Sequence, residues 1–201
     1  MKRALAVIAL ALTASAASAA EPADQLRVYE VKGVGALALR VPWEWKQKRN
    51  EDSAFPSFEW RPIKGPDFTV RIEALPAAKR CRVPCDLESV RFIVGNTASE
   101  VKARSLEPQI KLEPLKGRNA QGYYFNATDR APKPGEFKFL TQGVLATGEL
   151  VVYFRILVND GQQEAVRTAL AVLSGARQVK LPPPKPGPQK AMPEKPPQKK
   201  S

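Results

Sequence analysis

Apolar residues recur along this chain with two different periods, and each period names an element. Between residues 67 and 75, Phe68, Val70 and Ile72 alternate with Thr69, Arg71 and Glu73. A period of two puts one side of a strand in a core and the other in water. Similar short runs lie at 28–31 and at 36–41, where Leu37, Leu39 and Val41 share a face. Phe58 and Trp60, alternating with Glu59 and Arg61, mark another. Further strands are predicted at 109–115, 121–128, 137–146 and 149–158, the last two joined by a tight turn at Thr147-Gly148. The stretch LVVYFRILV, residues 150–158, is apolar on both faces except at Arg155, the pattern of a central strand covered on both sides.

After Pro84 the period lengthens. Asp86 is placed to cap a helix whose Leu87, Val90, Val94 and Val101 fall on one stripe, with Gly95-Asn96 weakening its middle. Asp160 and Gln163 have the spacing of a capping box for a second helix. Its stripe is Val166, Ala169, Leu170 and Leu173, and Gly175 ends it. Together these elements predict a single α+β domain over residues 21–181. Its core would be a central, mostly antiparallel sheet of about six to eight strands with helices packed on its faces, an α/β/α sandwich.

The two ends of the chain follow neither period. Residues 1–20 combine Lys2 and Arg3, an apolar run over 5–12 and the small residues Ala17-Ser18-Ala19, the parts of a secretory signal peptide. The strong hydrophobes stop at Leu12, well short of the roughly 20 needed to span a bilayer. The expected product is therefore periplasmic or secreted, with no transmembrane segment after signal cleavage. Residues 182–201 are rich in Pro and Lys, and Pro blocks both helix and ladder formation, so a disordered tail is expected there.

Charge follows the same division. The whole chain carries 32 Lys and Arg against 20 Asp and Glu, but much of the excess lies in the signal and the tail. The domain between them is only mildly basic, which is not the footprint of a nucleic-acid binder. An envelope protein or an anionic envelope polymer or lipid surface is the expected partner, with the tail as an electrostatic tether.

Histidine is absent and there are 2 Cys. Ser-His-Asp and Cys-His catalysis, His-ligated metal sites and four-thiolate clusters are excluded by that inventory. GVGALA, residues 33–38, has the outline of a dinucleotide fingerprint, but a strand pattern follows it where a helix is required. No catalytic, cofactor-binding or metal-ligating residue is assigned, and no cofactor is expected. Cys81 and Cys85, with three residues between them and in an oxidising compartment, are expected to form a disulfide closing a loop. Lys79, Arg80 and Arg82 around that loop, with Lys185, Lys190 and Lys195 in the tail, are candidate anion-binding residues. Trp43 and Trp45 would share a face if the chain stays extended, either stacking on a ligand or packing in the core.

The segment GVGALALRVPWEW, with its Val41-Pro42-x-x-Trp45 motif, resembles the opening of PsbP-like proteins. The order of elements after it continues the resemblance across residues 28–178. The resemblance implies a central antiparallel sheet with helices on both faces, and a largely non-enzymatic accessory or binding role in proteins that bacteria often export. The resulting expectation is an exported, non-catalytic accessory or binding protein of the cell envelope. The alternatives are a carboxylate-based envelope hydrolase and a carrier for a small apolar ligand. Intact-mass measurement of protein from the native host should give a chain beginning at Ala20 or Glu21; an uncleaved chain in the membrane fraction overturns the export expectation.

Overall fold

The computed structural model describes residues 24–51, 53–82 and 85–181. The expected signal and the tail with Lys185, Lys190 and Lys195 lie outside the described residues. Two sheets form the body, and the chain is predominantly β, broadly α+β. Strands β1 (Asp24–Val31) and β2 (Gly35–Pro42) make a hairpin, and β10 (Arg177–Val179) pairs with β2 on its other edge. The larger sheet uses β3 (Trp45–Arg49), β4 (Ser57–Pro62), β5 (Thr69–Pro76), β6 (Glu113–Lys116), β7 (Gln121–Thr128), β8 (Phe139–Thr147) and β9 (Leu150–Val158). Its order is β3-β4-β5-β9-β8-β7-β6, and every neighbouring pair is antiparallel. Helices α1 (Leu87–Lys102) and α2 (Gln163–Ser174) complete the described elements, with a 3-10 turn at Ala77–Lys79.

Strand β9 is central in sequence pattern and in space. Its Leu150, Val152, Phe154, Ile156 and Val158 enter one core with Val70, Ile72 and Ala74 of β5. Tyr29 and Val31 of β1, Leu37, Leu39 and Val41 of β2, and Ala169, Val172 and Leu173 of α2 cover that core. Val151 points the other way, with Val144 and Ala146 of β8 and Phe125 and Ala127 of β7, beneath Val90, Val94 and Ala98 of α1. The sequence pattern placed helices alone on the sheet; a second, small sheet shares one face with α2.

Several local expectations hold. Asp86 caps α1, accepting from the Ser89 backbone N–H at 2.7 Å. The helix runs unbroken through Gly95 and Asn96. A glycine costs about 1 kcal/mol there, and burial of Val90 and Val94 at about 1.5–3 kcal/mol each outweighs it. Cys81 and Cys85 are bonded, with Cα atoms 5.4 Å apart, tying the 3-10 turn to the start of α1. GVGALA is the β1–β2 hairpin, where Gly33 and Gly35 take φ of +88° and +109°.

Others are corrected. Strand β3 was not legible because only Trp45 in it is buried; it is an edge strand whose Lys46, Lys48 and Arg49 face solvent. The β8–β9 turn residues are Gly148 and Glu149, one position later than the sequence suggested, and Gly148 has φ +58°. A side chain there would also collide with Gln178. Asp160 does not cap α2. Its carboxylate pairs with Lys138 at 3.0 Å, while the Gln162 side chain joins the Asn159 N–H to the Asp67 carbonyl at 2.6 and 2.9 Å. Trp43 and Trp45 do not share a face, because the chain turns at Trp43 and Glu44 between the sheets. Trp45, 5% exposed, lies edge-on to Phe68 at 5.2 Å, whereas Trp43 is 49% exposed.

Replacing both cysteines, Cys81→Ala with Cys85→Ala, should lower stability by about 2 kcal/mol or less, since so short a ring removes little unfolded-state entropy. Urea melts of the non-reduced proteins measure it, and loss of folding in the double variant would contradict it.

Candidate anion-binding cleft

Helix α1 packs on β7 and β8 and stops there. Beyond its C-terminal end, the same face of the sheet is open, and strand register fixes what it shows. Thr69, Leu157, Leu140 and Ala127 form one cross-strand row; Arg71, Arg155, Gln142 and Phe125 form the next. Val101 of α1, Arg104 in the turn after it, and Phe137 and Lys138 before β8 also line this region. With Arg71, Arg155, Gln142, Leu157, Leu140 and Ala127 of those rows they line a cleft of about 220 Å³, whereas Thr69 and Phe125 are buried and do not line it.

The electrostatics of the second row are unusual. Arg71 and Arg155 are direct cross-strand partners, a like-charge arrangement that costs stability unless something relieves it. Arg71 is relieved by Glu59 at 2.7 Å. Arg155 is not: its Nε donates to the neutral Gln142 Oε1 at 2.8 Å, and it has no carboxylate partner among the described residues. Arg104 also lines the cleft without a carboxylate partner among those residues. Burial by itself would raise the Glu59 pKa, but hydrogen bonds from Arg71 and Arg61 overcome it and hold the carboxyl below its ordinary value.

Arg104 is positioned by the segment after α1. The Leu106 N–H donates to the Thr128 carbonyl and the Arg130 N–H to the Arg104 carbonyl, each at 2.9 Å. Glu107 then locks the segment to β7, accepting from the Thr128 N–H at 2.9 Å, the Thr128 hydroxyl at 2.7 Å and the Ser105 hydroxyl. Burial opposes ionisation of Glu107, yet these donors pull its pKa down to about 2. A carboxylate so held is a clamp and not a proton donor near neutrality.

Of the candidate anion-binding residues named from the sequence, Arg80 reaches this face of the sheet. Its guanidinium lies over the Tyr153 ring at 5.5 Å, in the row beside Arg155. Burial raises the Tyr153 pKa, Arg80 opposes the rise and Glu73 adds to it. Lys79 and Arg82 are exposed by the disulfide loop and do not line the cleft. The cleft residues Arg71, Arg104, Lys138 and Gln142 were missed. Arg155 alone left a sequence signal, as the one charge in an apolar strand.

A second cleft, of about 350 Å³, lies between α2 and strands β7 and β8, with Phe139, Val166 and Leu170 among its walls. Glu113 near it accepts from the Tyr124 hydroxyl at 2.7 Å and the Asn126 amide at 3.0 Å. Burial and this carboxylate push the Tyr124 pKa up to about 12. Among the described residues no group of three or more His, Cys, Asp or Glu side chains is placed to hold a metal ion. Nor is any described helix long and apolar enough to cross a membrane.

No family model matches the chain, and no curated protein matches it. A solved structure from Bacteroides thetaiotaomicron is similar to it with a TM-score of 0.45 and 13% identity, over 72% of this chain and 45% of that one. The chain therefore spans less than half the length of that neighbour.

Glu107→Gln should destabilise the protein by about 1–2 kcal/mol near neutral pH, because Gln cannot supply two acceptor oxygens to Thr128 and Ser105. The folded-state pKa of Glu107 is depressed, so its contribution is complete above its ordinary 4.5 and is lost as pH falls toward about 2. Urea melts across that range should show the gap between wild type and variant closing; a gap independent of pH would refute the clamp.

Proposed function

We propose that this chain is an exported, non-catalytic binding protein of the cell envelope that takes an anion into the cleft around Arg155. One observation carries the reading: Arg155 faces Arg71 across β5 and β9, and among the described residues its own partner is a neutral amide. Conflicts of this kind persist where function requires them. Lys138 and Arg104 extend the positive field along the same cleft.

Other features support the parts of this reading. The signal-like residues 1–20 support export, and Lys185, Lys190 and Lys195 supply further charge for an anionic polymer, lipid surface or envelope protein. The resemblance to PsbP-like proteins supports an accessory role, as does a helix on each face of the large sheet. A carboxylate hydrolase needs an acid with a raised pKa. Glu59 and Glu107 are instead held ionised by their donors, and Glu113 is engaged by Tyr124 and Asn126.

The test is a titration of the purified protein with acetate and inorganic phosphate at low salt, followed by backbone and arginine side-chain NMR. Saturable shifts should centre on Arg155, Gln142 and Lys138, weaken with added salt, and weaken about tenfold or more in Arg155→Gln. If these residues do not respond, the cleft is not an anion site.

A further inference from the structure

The chemistry of the cleft narrows the anion it takes. The first constraint is charge. Arg71, Arg104, Lys138 and Arg155 line the cleft along with the carboxylate Asp129. Glu59 already holds Arg71 and Asp160 already holds Lys138. Four cations meet three carboxylates, which leaves room for one further negative charge. The second constraint is donor geometry. Arg155 spends its Nε on Gln142 Oε1, so with respect to the described residues its two terminal nitrogens and the Gln142 amide nitrogen remain to donate. A guanidinium edge beside an amide N–H₂ suits the two coplanar oxygens of a carboxylate.

The third constraint is apolar. The row next to Arg155 is Leu157, Leu140 and Ala127, and Phe137 and Val101 line the same cleft. A fully hydrated ion leaves that half of the cleft wet, whereas a hydrocarbon group laid along it gains about 0.8 kcal/mol per buried methylene. The volume of about 220 Å³ equals roughly seven waters at about 30 Å³ each. That is space for a carboxylate with a short chain or a single ring.

We propose that the cleft selects a small amphipathic monocarboxylate, with its head on the Arg155 and Gln142 donors and its apolar tail along Leu157 and Leu140 against Phe137. This rests on the anion site proposed above and adds the identity class of its ligand. Selectivity comes from the two adjacent rows, one basic and one apolar, which only a molecule of both characters fills.

Calorimetric titrations of the purified protein with octanoate, acetate, inorganic phosphate and 1-octanol test it, with the NMR shifts locating each response. Octanoate should bind about tenfold or more tightly than acetate or phosphate, and 1-octanol should give no shifts at Arg155. Phe137→Ser, in the loop before β8, should remove most of the advantage of octanoate over acetate. Arg104→Gln, in the exposed turn after α1, should weaken octanoate and acetate together. Neither substitution touches the core, so a folding defect does not confuse the result. If octanoate and acetate bind equally, or phosphate binds more tightly, the ligand class is wrong and the anion site stands. If octanoate binds without shifting cleft residues, the cleft is not its site. If none of the probes binds, both this inference and the anion site fall.

Discussion

The architecture follows from one constraint: β9 is apolar on both faces, so the chain must cover its large sheet twice. Val152, Phe154 and Ile156 face one way and Val151 the other. Either side left bare would expose side chains worth about 1.5–3 kcal/mol each on burial. The chain meets this demand unequally. The first face receives a three-stranded sheet together with α2, which is wide enough to reach from β4 to the far strands. The second receives α1, with the disulfide fixing the approach to its first turn.

Dimensions then dictate where cover runs out. A helix with its side chains is about 10–12 Å across, and strands lie about 4.8 Å apart, so α1 shields about two of them. It lies on β7 and β8, and β9 and β5 emerge beside it. Their residues in that region become Arg155 and Arg71 instead of hydrophobes. The cleft is the step between a covered and an uncovered part of one sheet face. The segment pinned by Glu107 turns the end of α1 into a wall, with Arg104 on top of it.

Much of the fold was legible because period-two alternation survives wherever one face is buried, as at Phe68, Val70 and Ile72. Strand β3 was not, since an edge strand with a wet face carries charges that read as loop. Strand β10 is three residues long and is defined by pairing with β2, which no local pattern reports. Asp160 misled because a capping role and an ion pair with Lys138 compete for the same carboxylate, and only tertiary proximity decides. The cleft was hidden for a related reason. Arg155 stood out as an anomaly, but its meaning depends on Arg71 and Gln142, brought beside it by the register of three strands. Arg104 needed the turn after α1 as well. Local sequence shows that a charge is out of place; only pairing shows what it has been placed against.

Strand β10 has a bearing on how the molecule would stand in its surroundings. It ends at Val179 on the small sheet, so the chain leaves the described body from the layer opposite α1 and the basic trough. The protein thus has a back and a front. The small sheet and the trough lie on opposite faces of the large sheet, so a substitution on the exposed side of one leaves the surface of the other as it is.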